Sequence, residues 1–128
     1  MTRIISDGKG GYEEVTVTET SVDILGVNYT VKFQSENEDY RLKELDGYTD
    51  FYSKLIVIEV SRAGTLHNIN EYHKKVLRHE IVHAFLYESG LGTNSHSCQA
   101  FADDEEIVDW IAIQGNKIHK AWEGVNAI

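Results

Sequence analysis

The segment from residue 70 to 89 constrains the fold most, because its apolar residues follow a helical period. They recur at spacings of three and four, at Val76, Leu77, Ile81, Ala84 and Phe85. Such spacing places apolar side chains on one face of an α-helix. Gly90 follows at the position where helices commonly end. The pattern therefore predicts an amphipathic helix of about five turns.

The region before this helix has the composition of strands. Segments 15–18, 22–33, 47–51 and 55–60 are rich in β-branched and aromatic residues, which favour strands. The last two are close enough to form a hairpin. Residues 1–12 contain a glycine-rich stretch, and we expect a flexible leader without regular structure there.

Between the strands, residues 35–46 are polar and charged. Ser35 with Glu38 three residues later is typical of a helix cap, but the segment has no apolar stripe. A single helical turn and a loop are both compatible with it.

A second helical pattern begins near Gln99 or Asp103, and residues 116–123 suggest a further short helix. The coarse order is thus mainly strands over 13–60 and mainly helices over 70–123, which predicts an α+β fold. A chain of 128 residues has room for one domain.

Charge and composition narrow the classes of partner. The chain has 21 acidic and 12 basic residues, a net charge of -9, which disfavours binding to nucleic acid or an anionic membrane. The longest apolar run, 55–58, is too short to span a bilayer. Cys98 is the single cysteine and can form no internal disulfide. These features predict a cytoplasmic protein stabilised by packing or by a metal.

The helical segment contains the HExxH pattern, His79-Glu80-Ile81-Val82-His83. Residues four apart lie on one helix face, so both imidazoles can reach a single cation, while Glu80 lies beside it. The motif predicts a zinc site.

Catalytic zinc needs three protein ligands and an open position for water. The acidic segment 105–109 begins 22 residues after His83 (105 minus 83) and offers the third ligand. Glu105 shares a helix face with apolar Val108 and is the favoured ligand, with Glu106 as the alternative. Asp109 is expected to accept a hydrogen bond from a ligating histidine.

An HExxH helix followed by a helix of the form Glu-x-x-x-Asp resembles the gluzincin metallopeptidases. The resemblance is strongest to the small phage-associated members of the ImmA/IrrE group and covers roughly residues 47–113. It implies a short twisted sheet packed on the active-site helix of a minimal zincin-like domain. The chain lacks a clear helix before the sheet, a departure from that family.

The resemblance further implies a zinc-dependent peptidase acting on a peptide or protein in the cytosol of a bacterium or phage-infected host. Zinc would be bound by His79, His83 and Glu105, with Glu80 as the general base. In similar enzymes an edge strand binds the substrate backbone, which here would be 47–51. The competing interpretation is a catalytically silent, zinc-stabilised binding protein.

The residue that stabilises the transition state stays open at this stage. Four residues are candidates, namely His96, Tyr87, Tyr72 and His119. His96 with Cys98 is also a candidate second half-site for a metal. Nothing in the sequence indicates the oligomeric state.

Overall fold

The structure is a computed structural model that describes residues 2–6, 12–16, 19–62, 69–92 and 100–128. The strands are β1 (Thr2–Ser6), β2 (Tyr12–Thr16), β3 (Glu19–Ile24), β4 (Val27–Gln34), β5 (Gly47–Asp50) and β6 (Leu55–Glu59). The long helices are α1 (Ile69–Leu86) and α2 (Glu105–Gly124). Strands precede helices, so the predicted α+β fold is confirmed.

Strands β3 to β6 form a four-stranded mixed sheet in the order β3-β4-β6-β5. β4 and β6 are parallel, whereas β3 with β4 and β5 with β6 are antiparallel. The tight turn between β3 and β4 has positive φ at Leu25 and Gly26, as expected for a two-residue hairpin loop. The predicted hairpin of 47–51 with 55–60 is confirmed, and β5 is an edge strand.

The core lies between this sheet and α1. Alternate residues of β4 are buried, and Ile56 and Ile58 of β6 join them in one cluster with Val76 and Ala84 of α1. Of the predicted apolar face of the helix, Val76, Leu77, Ile81 and Ala84 pack in this core, whereas Phe85 is 39% exposed. α2 packs in turn against α1.

A close approach brings β5 against α1. A side-chain carbon built on Gly47 would lie 2.9 Å from the carbonyl oxygen of Val57 and 3.1 Å from Cγ1 of Val76. Only glycine fits between β6 and α1 at this position, so Gly47 allows the edge strand to lie beside the motif-bearing helix.

The end of α1 is anchored to the sheet by a partly buried ion pair. Glu88, in a π-type turn that continues the helix, accepts a hydrogen bond from Tyr29 at 2.7 Å and pairs with Lys54 at 2.7 Å. The Lys54 hydrogen bond holds the pKa of Glu88 below its usual value. Gly90 has φ of 92° and ends the helical conformation, as its position in the sequence predicts.

The sequence of residues 35–46 is compatible with a helical turn or a loop, and the structure has helical turns there. The Ser35 amide donates to the Glu38 carboxylate at 3.0 Å, and the Glu38 amide donates to the Ser35 hydroxyl at 3.3 Å. A 3-10 helix follows at Tyr40–Lys43.

Two predictions about regular structure are wrong. The leader expected at 1–12 contains Thr2–Ser6, which pairs with Tyr12–Thr16 in a separate two-stranded sheet. A strand this short has no readable period until its partner is known. The separate helix expected at 116–123 is part of α2, because one glycine, Gly115, costs a packed helix only about 1 kcal/mol.

Within the described ranges, no helix is long and apolar enough to cross a membrane. The glycine-rich stretch at 8–11 lies outside the described residues, as does Ala63-Gly64, a pair typical of a turn.

Candidate metal centre

Helix α1 brings His79, Glu80 and His83 together at the base of a cleft. Glu80 is 6% exposed and His83 is 7% exposed. Each of the three side chains offers one ligand atom, and these atoms lie within 4.8 Å of one another. The HExxH-like group on a long helix is thereby confirmed as a group able to hold a metal ion.

Helix α2 brings Glu105 to the same point. Its Oε2 lies 3.0 Å from Nε2 of His79, and its Oε1 lies 2.8 Å from Nε2 of His83. Asp104 caps the helix by accepting from the Ile107 amide at 3.1 Å. Val108, on the same face of α2 as Glu105, is buried. The face that carries Glu105 is therefore the inward one, as the apolar pattern predicts.

The outer ring nitrogens determine which tautomer each histidine adopts. Nδ1 of His83 lies 2.5 Å from the carbonyl oxygen of Ala102, and Nδ1 of His79 lies 3.2 Å from Oδ1 of Asp109. A carbonyl and a carboxylate only accept hydrogen bonds, so both Nδ1 atoms carry the proton. In the neutral rings, both Nε2 atoms then present lone pairs.

With both rings neutral, the two Nε2 atoms and the Glu105 carboxylate are all acceptors. The two Nε2 atoms lie 3.2 Å apart, and the Glu105 carboxylate faces both. A tetrahedral ion with metal–ligand bonds of about 2.0–2.1 Å separates its ligands by roughly 3.3 Å. The separation of 3.2 Å between the two Nε2 atoms is close to that value, and the two Glu105 oxygens lie 2.8 and 3.0 Å from these nitrogens, so one cation could be shared by the three side chains.

Glu80 is held from the side of the sheet. The Thr49 hydroxyl on β5 lies 3.1 Å from the Glu80 carbonyl oxygen and 3.4 Å from its carboxylate. Burial raises the pKa of the Glu80 carboxyl above its usual value, against the opposing effect of the two histidines. The carboxylate thus lies beside the histidine pair, tethered to the edge strand.

Asp109 binds a lysine as well as a histidine. Nζ of Lys75 lies 2.6 Å from its Oδ1, and this hydrogen bond lowers the pKa of Asp109. The Asp109 carboxylate thus contacts both the Lys75 ammonium group and the His79 ring.

A cavity of about 490 Å³ opens above these residues. β5 and the segment before it form one wall, α1 forms the floor, and Glu105 lies at the α2 side. Tyr72 also lines the cavity; it donates to Asp46, and this bond raises the pKa of Tyr72 to about 12.

The remaining site residues predicted from the sequence do not belong to this group of ligands. Glu106 lines a separate groove with Trp110. Tyr87 stacks on Phe51 with ring centroids 4.2 Å apart, and His119 pairs with Glu123 at 2.8 Å. His96 and Cys98 lie outside the described residues. Three of the four candidates for stabilising the transition state are among the described residues. Of these three, Tyr72 lines the cavity.

Sequence reasoning missed Thr49 and Lys75. Lys75 lies four residues before His79 and so on the same helix face, a signal that the spacing contains. Thr49 comes from another element, and nothing in its local sequence points to Glu80.

Comparison with protein-family models, with curated proteins and with solved structures finds no match for this chain. The class of the protein therefore rests on its fold and its site alone. It is an α+β protein whose helix α1 carries a His-Glu-His group that could hold a metal ion.

Proposed function

We propose that this chain is a zinc-dependent metallopeptidase of the small gluzincin type. The observation that carries the proposal is the convergence of three acceptor groups, two Nε2 atoms and the Glu105 carboxylate, beside a buried glutamate. Two histidines and one carboxylate are a ligand set typical of catalytic zinc, which retains an open position. The ligands in this proposal are His79, His83 and Glu105.

The residues of the chain have distinct roles in the proposed reaction. A bound zinc ion supplies Lewis acidity, which makes water more acidic and polarises the peptide carbonyl. The Glu80 carboxylate accepts a proton from the attacking water and later delivers it to the nitrogen of the leaving amine. Asp109 holds the His79 ring in its ligating tautomer.

Substrate binding along β5 is supported by the register of the hairpin. The Glu59 amide donates to the Asp46 carbonyl at 2.8 Å, so Asp46 and Glu59 are a hydrogen-bonded pair. Because such pairs alternate in an antiparallel ladder, the backbone groups of Gly47 and Thr49 point away from β6. A peptide can add to this free edge by backbone hydrogen bonds.

The function is tested by metal analysis together with cleavage of a quenched fluorescent peptide library. We expect one zinc ion per chain and cleavage that stops when 1,10-phenanthroline removes the metal and returns on adding zinc. A protein without zinc would contradict the metal site. Zinc at full occupancy without cleavage of any library pool would favour the silent binding protein instead.

Thr49→Pro is expected to weaken binding of the best-cleaved library peptide without changing the zinc content. Proline removes the outward backbone N–H of an edge strand, and one backbone hydrogen bond contributes about 1 kcal/mol, or roughly a fivefold change in affinity. Isothermal titration calorimetry on the zinc-loaded protein measures it, with Glu80→Gln added to every variant so that the peptide is not cleaved during the titration.

Thr49→Val is the matched control, because it removes the hydroxyl that contacts Glu80 but keeps the N–H. Equal losses of affinity in both variants would contradict edge-strand binding and attribute the effect to the side chain.

A further inference from the structure

The side of α2 turned away from α1 carries a stripe of exposed residues, here called the outer stripe. Its members are Glu106, Trp110, Ile113 and Lys117. With spacings of four, three and four, they fall within about 60° of arc on the helix, roughly opposite buried Val108 and Ala112. Trp110 is 54% exposed and Ile113 is 43% exposed. The stripe therefore presents two large apolar side chains to solvent, with one charge at each end.

A groove lies beside Trp110 on this surface. It is lined by Asp104, Glu106, Ile107 and Trp110 and encloses about 300 Å³, which is enough for an aliphatic side chain. Exposed apolar surface rimmed by charges is typical of interaction sites.

The two charged side chains at the ends of the stripe are both exposed. Glu106 and Lys117 have no hydrogen-bonding or ionic partner within the part of the chain that the structure describes. Exposed Lys74, by comparison, pairs with Glu71 at 3.2 Å. The stripe thus offers an acid at its amino-terminal end and a base at its carboxy-terminal end.

We propose that the outer stripe pairs with the outer stripe of a second copy of this chain, with the two α2 helices antiparallel. In one register, Glu106 faces Lys117 of the second copy and Trp110 faces its Ile113. The same pairs then recur by two-fold symmetry, as in an isologous interface. Parallel pairing would instead place Glu106 on Glu106 and Lys117 on Lys117, which like-charge repulsion disfavours.

The antiparallel arrangement is compatible with the fold. The stripe spacing of four, three and four is the seam spacing of paired helices, and the groove beside Trp110 provides a hole for the opposing Ile113. Glu105, which faces the histidines of α1, lies about 100° around α2 from Glu106, so pairing through the stripe leaves the cleft open. The inference does not depend on the proposed peptidase activity.

Sedimentation velocity of the full chain over about 5 to 500 μM is expected to show a reversible monomer–dimer equilibrium. The affinity of the dimer should be low, because the interface is small. Glu106→Lys and Lys117→Glu should each raise the dimer dissociation constant about tenfold or more, because each creates two like-charge contacts per dimer. The double charge swap should return it to within about threefold of the original value.

The exposed substitution Glu71→Lys is the control, since it makes the same charge change on α1 and should leave dimerisation unchanged. Circular dichroism checks that each variant retains its helices. Ile113→Lys, which keeps the end charges but places a charge in the apolar centre, should also abolish the dimer.

Two results would overturn the proposal. One is a wild-type chain that stays monomeric at 500 μM, which would leave the stripe to a different protein partner. The other is a dimer that the double charge swap does not restore, which would exclude the antiparallel register.

Discussion

Glu80→Gln is expected to lower peptide cleavage by about 10³-fold while zinc remains bound at one ion per chain. Glutamine has nearly the same shape as glutamate and can still accept the hydrogen bond from Thr49. Its amide cannot accept a proton from water, however, and Glu80 is not one of the three proposed zinc ligands. The variant therefore separates proton transfer from metal binding.

The measurement is the cleavage rate of the best library peptide, with zinc content determined on the same samples. Glu71→Gln is the matched control, because Glu71 is also on α1, is exposed, and pairs only with Lys74 among the described residues. Cleavage that survives Glu80→Gln would contradict the role of Glu80 as the base. Loss of zinc would indicate that Glu80 is a ligand.

Zinc is expected to raise the melting temperature of the wild-type chain by roughly 10 to 20 °C, and His83→Ala should remove most of that rise. At zinc concentrations about 1,000-fold above the dissociation constant, binding to the folded state adds about 4 kcal/mol to the free energy of unfolding. The ion would join α1 to α2, two elements in a chain without an internal disulfide.

Differential scanning fluorimetry with and without zinc measures this rise separately for each variant. The comparison is therefore independent of the stability that the substitution costs the metal-free protein. His119→Ala is the control, because His119 is exposed and pairs with Glu123 at 2.8 Å. If His83→Ala does not fold, His79→Asn gives the same test. An equal zinc-induced rise in either ligand variant and in the wild type would contradict the site.

Part of the site was predictable because it lies within a single element. The four-residue spacing of His79 and His83 places both imidazoles on one face of any helix that contains them. The amphipathic pattern of 70–89 predicts that helix, observed as Ile69–Leu86. The preference for Glu105 over Glu106 came from the same kind of argument, and the carboxylate that meets both histidines is that of Glu105.

Other features depend on pairs of elements distant in sequence. The Thr49 contact with Glu80 joins residues 31 apart, and the Ala102 carbonyl that orients His83 lies 19 residues away. The strand Thr2–Ser6 is recognisable only with its partner Tyr12–Thr16. No local period encodes such contacts.

The sequence by itself determined the order of strands and helices, the apolar face of α1 and the metal-binding residue types on it, because each follows from periodicity along one element. Only the tertiary structure decided how closely those elements approach. Gly47 lets β5 lie against α1, and Asp104 starts α2 where Glu105 faces the histidines. The acceptors converge because packing brings two helices within hydrogen-bonding distance, and that distance is a property of the folded core.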